Sequence, residues 1–474
     1  MKRSAAAASC ALAAVATLFA ADPPATLSPE TRGRAVRLRE QAFAGTRAAD
    51  WARALADQVG PRLAGSPGDR EAVAWALATL KAQGFANVRA EKVKVPVWQR
   101  GIETGEVTSP HPQKLALTAL GGSVATPEGG LEAEVMEFDS YEAMEAKPTA
   151  VQGKIVFFNK KMKRTVDGSG YGPAVAFRGS GPARAGKLGA AGVLIRSAGT
   201  DNERLPHTGM TRYDPAVLKI PAAALSIPDA ELLERLIQLG KPVRVRFTLT
   251  CRALPEAESA NVIGEVVGRE KPDEIVLLGA HLDSWDLGTG ALDDAAGCGI
   301  VIEAARLIGQ MRVKPRRTVR VVLFANEESG LAGAIAYAKE HAAELPRHAA
   351  AIEADSGTGR PLGLTWNAGP TALPIVTEIA EILSGIGAGQ LQPGDFGGAD
   401  ISRLVTAGVP LFGLRQDASR YFDYHHTAND TFDKIEPEAL DRATAATAVF
   451  AYVAAEIPQP FEKIPPDKRK APGF

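Results

Sequence analysis

The second half of the chain contains four short apolar runs, each followed at once by polar or charged residues. Such runs are typical of strands that are buried on both faces of a parallel sheet. Segments with helical spacing separate them. From about residue 260 to 455 the pattern therefore predicts an α/β fold, in which a mostly parallel, twisted sheet carries helices on both faces. The predicted strands are residues 274–278, 320–324, 349–352 and 409–414.

The first half of the chain begins with a similar pattern and then changes character. Helical spacing over residues 36–59 and 69–83 is followed by an alternating strand pattern over 88–97. Between about 112 and 250 there are instead many short β-like runs separated by turn signals, which predict an inserted β-rich domain. The predicted division is a leader at 1–21, one domain formed by 30–111 and 255–458, the insertion at 112–250, and a tail at 459–474 that is either surface-hugging or disordered.

The composition allows a large core and excludes two classes of partner. The chain has 474 residues, of which 45% are hydrophobic, so it can bury a large apolar core. Its 54 basic and 55 acidic residues give a net charge of -1. Because no run of like charge stands out, we expect neither nucleic acid nor an anionic membrane surface as a partner.

The amino terminus has the features of an export signal. Lys2 and Arg3 precede an apolar, alanine-rich run at 5–20, whose length and flanks suit a secretory signal better than a spanning helix. We predict that residues 1–21 are a signal peptide, and that its removal gives an exported protein, periplasmic or secreted, with no membrane association. The alternatives are an uncleaved anchor, since the cleavage pattern is imperfect, and a lipoprotein site at Cys10.

The first polar segment, GAHLDSWDLGTGALDDAAG at 279–297, predicts a metal site. His281 leaves the strand at its carboxyl end, where open α/β sheets place their sites. Residues two apart in an extended segment point to the same side, so the Asp283 carboxylate can accept the second ring N–H of His281 and orient the other nitrogen towards a cation. Gly290 lets the chain double back, so that Asp293 or Asp294 brings a carboxylate to the same point.

The other three strand ends carry the same residue types. Glu327 and Glu328 follow the second strand, Asp355 follows the third, and His425 and His426 follow the fourth. Adjacent carboxylates at a strand end cannot both face the same way, so one can bind metal while its neighbour works as a general base. Regular placement at successive strand ends favours a metal site over solvated loop charges.

These motifs resemble a known family. The segments HLDS at 281–284, GALDDAAG at 290–297, NEESGLAGAIAYAKEH at 326–341, EADSG around Asp355 and HHTANDT at 425–431 are similar to those of the co-catalytic zinc exopeptidases typified by the bacterial and vibrio aminopeptidases. The carboxypeptidase Q branch is the most similar. In such a peptidase the inserted segment resembles the protease-associated domain, which would either cover the cleft or hold a partner subunit, or be a passive insertion.

The resemblance implies two Zn²⁺ ions per chain and a role for each residue. One zinc would take His281 and Asp355, the other Glu328 and His426, with Asp293 shared. Glu327 would be the general base, taking a proton from a metal-bridging water and passing it to the leaving amine. Many relatives carry Tyr just before the second histidine ligand.

His425 occupies that tyrosine position, so we expect it to stabilise the oxyanion, with Tyr421 and Tyr424 as alternatives. His207, in the insertion, is a further candidate for substrate contact.

The family implies a dipeptide or short-peptide substrate and allows a homodimer. The sequence leaves open which terminus is engaged, and also whether Cys251 and Cys298 pair. A carboxylate would need a cation, for which Arg62, Arg403, Arg415 and Arg420 are candidates. Two other functions stay open, an inactive receptor-like binding protein on the same fold and a single-zinc acyltransferase resembling glutaminyl cyclases.

Overall fold

The computed structural model describes residues 26–394 and 396–472. The predicted signal segment at 1–21 lies outside these residues. No helix in the described part is both long and apolar enough to cross a membrane. The strands are β1 (Ala86–Gln99), β2 (Glu103–Ser109), β3 (Gln113–Leu115), β4 (Leu117–Ala119), β5 (Leu131–Phe138), β6 (Ile155–Phe158), β7 (Gly192–Arg196), β8 (Ala222–Leu225), β9 (Arg244–Leu249), β10 (Arg252–Val266), β11 (Lys271–His281), β12 (Arg317–Phe324), β13 (His348–Glu353), β14 (Pro361–Asn367), β15 (Gln390–Pro393) and β16 (Leu411–Gln416). The α-helices are α1 (Pro29–Phe43), α2 (Ala48–Arg53), α3 (Pro67–Ala82), α4 (Tyr141–Glu145), α5 (Pro148–Val151), α6 (Tyr171–Lys187), α7 (Ile227–Gln238), α8 (Ala296–Gln310), α9 (Glu327–Gly330), α10 (Ala332–Glu340), α11 (Leu373–Ser384) and α12 (Pro437–Glu456).

The strands form two sheets of eight. The first has the order β1-β10-β12-β11-β13-β16-β14-β15. Its four central strands, β12, β11, β13 and β16, are parallel, whereas β1, β10 and β14 pair antiparallel with their inner neighbours. The prediction of an α/β fold around a mostly parallel sheet is confirmed, and all four predicted strands are present.

Helices cover both faces of this first sheet, as the sequence predicts. Along β11, Val276 and Leu278 pack under α8 and α12, while Leu277 packs on the opposite face with Tyr337 of α10. The alternation follows from the two-residue period of a strand. Burying each of these apolar side chains stabilises the fold by roughly 1.5–3 kcal/mol.

The connections of β11 mark the functional edge of the first sheet. The chain leaves β11 for β12 on one side, and then returns past β11 to β13 on the other side. Such a reversal of winding is where the carboxyl ends of parallel strands open a crevice for a ligand. His281, the last residue of β11, lies at this crevice.

The second sheet has the order β3-β2-β9-β5-β6-β7-β8-β4. Its centre, from β5 to β8, is parallel, with α7 packed on one face and α4 and α6 on the other. The inserted segment is therefore itself an α/β unit, and it includes β2, which lies before the predicted start of the insertion at 112. The division into domains and the likeness to the protease-associated domain stay predictions.

A ribbon of two long strands joins the two sheets. β1 and β10 pair antiparallel from Ala86 with Glu265 to Gln99 with Arg252, so the chain leaves and re-enters the first sheet at neighbouring positions. Just beyond, Arg100 binds both carboxylate oxygens of Asp286 at 2.7 and 2.9 Å. The second sheet is thereby tied to the segment that follows His281.

The tail is packed over residues 459–472, which agrees with the first of the two alternatives, surface-hugging or disordered. Phe461 packs against Phe412 of β16, with ring centroids 5.0 Å apart. Ile464 is fully buried, and its N–H donates to the carbonyl of Gly408. Two apolar anchors therefore hold this segment against the first sheet.

Candidate metal centre

Five side chains from four strand ends converge around the carboxylate of Asp293. The Nε2 atom of His281 lies 3.0 Å from Oδ1 of Asp293 and 3.8 Å from Oδ1 of Asp355. The Nε2 atom of His426 lies 3.2 Å from Oδ2 of Asp293 and 3.0 Å from Oε2 of Glu328. Asp293 thus presents one oxygen to each histidine, in the way a ligand shared between two ions would.

The atoms of this cluster fit divalent metal ions. Candidate ligand atoms of His281, Asp293 and Asp355 lie within 4.8 Å of one another. In the described part of the chain, Oε1 of Glu328 is buried without a hydrogen-bond partner, and such an atom costs free energy unless something binds it. Imidazole and carboxylate groups are ordinary ligands of Zn²⁺. The donor set therefore suits one zinc on each side of Asp293.

The loop that carries Asp293 is held by a buried arginine. Arg62 is fully buried and donates to the carbonyl oxygens of Leu282, Thr289 and Gly290 at 2.6, 2.6 and 2.8 Å. Gly290 has φ of +59°, a left-handed conformation that favours glycine. Arg62 is therefore part of the loop's scaffold, and the expectation that it grips a substrate carboxylate is wrong.

Two further aspartates, Asp294 and Asp430, position the loop of Asp293 by accepting hydrogen bonds from backbone N–H groups. Asp294 accepts the backbone N–H of His281 at 3.1 Å and that of Gly297 at 2.9 Å. Asp430 accepts the N–H of Leu292 at 2.6 Å. The carboxylate of Asp293 is thus positioned by hydrogen bonds on both sides of it.

The structure corrects the expected contact between His281 and Asp283. The Nδ1 atom of His281 lies 3.0 Å from the carbonyl oxygen of Asp283, which accepts its N–H, whereas Oδ1 of the carboxylate is 3.9 Å away. That Oδ1 instead accepts the backbone N–H of Glu327 at 2.9 Å. Asp283 therefore still orients Nε2 towards the cluster, but through its main chain, while its carboxylate positions the turn that carries Glu327.

Glu327 and Glu328 lie in the turn that follows β12. Both line the cleft above the cluster, and Glu328 also pairs with His426. The turn is bracketed by Asn326 at φ +63° and Leu331 at φ +59°, and left-handed non-glycine residues of this kind cluster at functional sites. Burial, and after it the charges of Asp355 and Glu328, raises the pKa of Glu327 well above its ordinary value, against the opposing effect of His281.

His425 and His426 form a stacked pair. Their ring centroids are 3.5 Å apart, and Nε2 of His425 lies 3.4 Å from Oδ2 of Asp293. Burial and the neighbouring His426 lower the pKa of His425 well below its ordinary value. Burial also opposes protonation of His426, yet Glu328 and Asp293 raise its pKa to about 9. The same negative field attracts a divalent cation.

The two tyrosines named as alternatives to His425 lie in different places. Tyr421 lines the cleft above the cluster, with its ring 4.9 Å from that of His425. Tyr424 does not line this cleft. It lines a separate cavity of about 240 Å³, which Tyr421 also borders, and its hydroxyl accepts a hydrogen bond from Arg420. Of these two tyrosines, only Tyr421 can therefore replace His425 as a donor in the cleft.

The second sheet supplies the opposite wall of this cleft, which has a volume of about 710 Å³. The larger side chains there include Tyr171 and Arg178 of α6, and Met210 and Arg212 of the loop before β8. Sequence reasoning missed all four, and the one signal was the polar segment around His207.

His207 itself is not in the cleft. It is buried, its Nε2 lies 2.6 Å from Asp201, and its Nδ1 lies 2.7 Å from the carbonyl oxygen of His425. The expectation of a substrate contact at His207 is wrong. It supports the backbone of the histidine pair instead.

The remaining arginine candidates lie away from the cleft or are engaged elsewhere. Arg415 donates to Gln390 at 3.0 Å, Arg403 approaches the carbonyl of Pro472, and Arg420 lines the separate cavity. Cys251 and Cys298 are both buried and unpaired. They therefore form no disulfide with each other.

Comparison with known proteins identifies relatives of the chain. The model of peptidase family M28 matches residues 261–451. Carboxypeptidase Q of Mus musculus is 36% identical over 404 residues, covering 85% of this chain and 84% of that protein, and the Homo sapiens protein is 35% identical with the same coverage.

Solved structures extend the likeness to the fold. A peptidase M28 precursor from Shewanella amazonensis SB2B matches with a TM-score of 0.90 and 46% identity, covering 92% of this chain and 99% of that one. BSAP, a zinc aminopeptidase from Bacillus subtilis, matches with a TM-score of 0.63 and 21% identity, covering 86% and 95%. The match to the Shewanella protein spans both sheets.

Proposed function

The chain belongs to the M28 family of peptidases, and we propose that it is a zinc-dependent exopeptidase that hydrolyses dipeptides or removes terminal residues from short peptides. The observation that carries this proposal is the shared position of Asp293 between two histidine–carboxylate pairs, with Glu327 beside them and facing the cleft. The names of the relatives, carboxypeptidase Q and zinc aminopeptidase, support exopeptidase activity and zinc.

Two zinc ions would be held by the five clustered side chains. His281 and Asp355 would hold one, Glu328 and His426 the other, and Asp293 would contact both. Zinc bound there would lower the pKa of a water molecule and polarise the scissile carbonyl.

Glu327 is proposed as the general base. Its carboxylate faces the cleft, and its backbone is fixed by the hydrogen bond to Asp283. It would accept a proton from the attacking water and donate it to the amine of the leaving residue. A raised pKa suits this exchange, because an efficient acid–base group has a pKa near the working pH.

His425 is proposed to stabilise the charge that develops on the carbonyl oxygen. A neutral imidazole can donate one N–H, and burial favours the neutral form of this ring. Because Nε2 of His425 lies beside Asp293, the donor would stand next to the reacting carbonyl.

The two alternative functions need less than this site offers. A receptor-like binding protein has no use for an unligated carboxylate beside a five-residue cluster, and a single-zinc acyltransferase does not need a carboxylate shared by two histidines. Export of the protein and formation of a homodimer also stay part of the proposal. The predicted signal peptide at residues 1–21 lies outside the described chain.

The proposal is tested by measuring zinc and activity together. We expect about two zinc ions per chain by mass spectrometry, release of amino acids from unblocked dipeptides, loss of that release with a chelator, and recovery on adding zinc. One zinc with cyclisation of glutaminyl peptides would support the acyltransferase instead. Absence of any hydrolysis by zinc-loaded protein would support the receptor-like alternative.

A further inference from the structure

The cleft has two walls of opposite charge. The wall formed by the first sheet carries the carboxylates of Asp293, Glu327, Glu328 and Asp355, whereas the wall formed by the second sheet carries two arginines. A substrate that spans the cleft therefore meets acid on one side and guanidinium on the other. Only the acidic wall has a role in the proposed reaction.

One of these two arginines, Arg178, is already engaged. Its Nη1 donates to the carbonyl of Thr208 at 3.3 Å and lies 3.2 Å from Nδ1 of His426. Its guanidinium also packs on Gly209, where an added Cβ would come within 2.3 Å of Cζ. Arg178 thus supports His426 through the carbonyl of Thr208, which also accepts the Nδ1–H of His426 at 3.2 Å, and its contacts with the loop at 208–209 fix its position.

The other arginine, Arg212, is different. Its side chain is exposed and lines the cleft. Within residues 26–394 and 396–472 it makes no hydrogen bond or ion pair through its guanidinium. Only its backbone is fixed, because its N–H donates to the carbonyl of Gly179 at 2.9 Å. Arg212 is therefore a positioned cation with all of its side-chain donors available.

The loop sets the distance between Arg212 and the cluster. The N–H of Thr208 donates to the carbonyl of His426, and a chain of four residues spans at most ~13–14 Å from Thr208 to Arg212. This upper bound is compatible with a substrate of two or a few residues between the cluster and Arg212.

The cleft leaves room for that short chain. Gly172 and Gly179 of α6 both line it, and a Cβ added at either position would meet no atom within 4 Å. The wall next to Arg212 is therefore open at the level of the main chain of α6.

We propose that Arg212 is the residue that binds the free carboxylate of the peptide substrate. This inference rests on the proposed exopeptidase function and assigns a residue to substrate binding. Guanidinium and carboxylate form paired, charge-assisted hydrogen bonds. With the carboxylate at Arg212, the scissile bond lies towards the cluster.

The test compares alanyl-leucine with alanyl-leucinamide, using release of alanine as the common readout. Zinc-loaded wild-type protein is expected to favour the free acid by about 10- to 100-fold in kcat/KM, the range of a charge-assisted pair. Arg212→Gln is expected to lose that factor on the acid, mainly through a higher KM, and to leave the amide unchanged. Arg212→Lys should recover part of the preference.

Two controls separate this role from general damage. Arg420→Gln removes another exposed arginine, one that lines the separate cavity, and should keep the preference for the acid. Zinc content and Tm of Arg212→Gln should equal those of the wild type, because replacing an exposed side chain changes stability little.

Several outcomes would overturn the inference. These are equal wild-type rates on acid and amide, an equal loss on both in Arg212→Gln, or no loss at all. Each would leave the proposed exopeptidase in place, since alanine would still be released. Failure of wild-type protein to hydrolyse either compound would instead overturn the proposed function, and the inference with it.

Discussion

The carboxyl edges of the two parallel sheet centres use their polar groups differently. At the edge of the second sheet, polar groups satisfy each other: Arg196 donates to Asn159 at 2.6 Å, and Ser197 donates to the carbonyl of Leu225 at 2.6 Å. At the edge of the first sheet, Oδ2 of Asp283 and Oε1 of Glu328 are buried without a partner in the described chain.

This difference indicates that the edge of the first sheet is the one that binds a ligand. An unpaired buried acceptor costs on the order of 1–3 kcal/mol, more when it is charged, so such atoms persist where a ligand or a reaction uses them. At the edge of the second sheet, the polar groups of Arg196 and Ser197 carry no such cost, because each has a partner. The second sheet acts on the first sheet's edge instead, through Arg178 and the loop from His207 to Arg212.

The strongest way to break this comparison is to remove the charge of Glu327. We expect Glu327→Gln to lower kcat on a dipeptide by about 10³-fold, because a general base contributes factors of that order. Zinc content measured by mass spectrometry should stay at the wild-type level. Glu340→Gln, on the exposed side of α10, is the matched control with wild-type kcat, and a Glu327→Gln protein with near wild-type kcat would contradict the assignment.

A second substitution tests whether His425 binds metal or donates a hydrogen bond to the oxyanion. If it stabilises the oxyanion, His425→Ala should lower kcat by about 10²-fold with unchanged zinc content. Tyr421→Phe, which removes the other donor in the cleft, should leave kcat near that of the wild type. Loss of zinc from His425→Ala would make His425 a ligand, since its Nε2 lies with Asp293 and His426 in one compact group, and unchanged kcat would refute any role.

A third change tests the influence of the second sheet on the first. Arg178→Ala should weaken zinc binding by about tenfold, because Arg178 holds the carbonyl of Thr208 that accepts the Nδ1–H of His426, and residues that orient a metal ligand contribute factors of that size. Competition with a chromophoric chelator measures the affinity. Arg184→Ala, on the same helix but paired with Glu145 at the surface, should retain wild-type affinity. Equal affinities in the two variants would show that the second sheet does not act through His426.

The smallest effect on activity is expected from a substitution of His348, at the opposite edge of the first sheet, which should change the pH dependence of stability instead. His348, the first residue of β13, is buried with its Nε2 2.9 Å from the hydroxyl of Tyr337, and burial lowers its pKa to about 3. The folded protein keeps this ring neutral, whereas the unfolded chain binds a proton near pH 6.5. The contribution of His348 to stability is therefore complete above pH 6.5 and is lost as the pH falls towards 3.

At pH 5 this loss is about 2 kcal/mol, the cost of protonating only the unfolded chain. His348→Gln should reduce the difference in unfolding free energy between pH 7 and pH 5 by that amount, with kcat unchanged. His111→Gln, which replaces an exposed histidine, should keep the wild-type difference. Denaturant titrations at the two pH values measure both, and identical pH dependence in His348→Gln and wild type would contradict the prediction.

The first sheet could be predicted because its signal is local. Each central strand is an apolar run, and the residue after the run lies at the strand's end, so the positions of His281, Glu328 and Asp355 follow from the sequence. The two-residue alternation of side-chain directions, however, holds only within the strand. β11 ends at His281, and for this reason the expected approach of the Asp283 carboxylate to the ring is replaced by its carbonyl.

The second wall of the cleft could not be predicted, because it depends on contacts between distant segments. Arg178 and His426 are 248 positions apart, and no periodicity links them. Strand β8 was missed for a local reason, since its residues Ala222–Leu225 are mostly alanine, which has low strand propensity. Without that strand, the preceding loop with Arg212 had no place in the predicted fold.

The ribbon of β1 and β10 has a consequence for the redesign of this chain. Because Gln99 pairs with Arg252, the segment between them begins and ends at neighbouring positions, and exchanging it as one piece would leave the strand order of the first sheet unchanged. Such an exchange would keep the clustered side chains of the first sheet and replace the opposite wall of the cleft. The junction is thus a ready site for modular engineering.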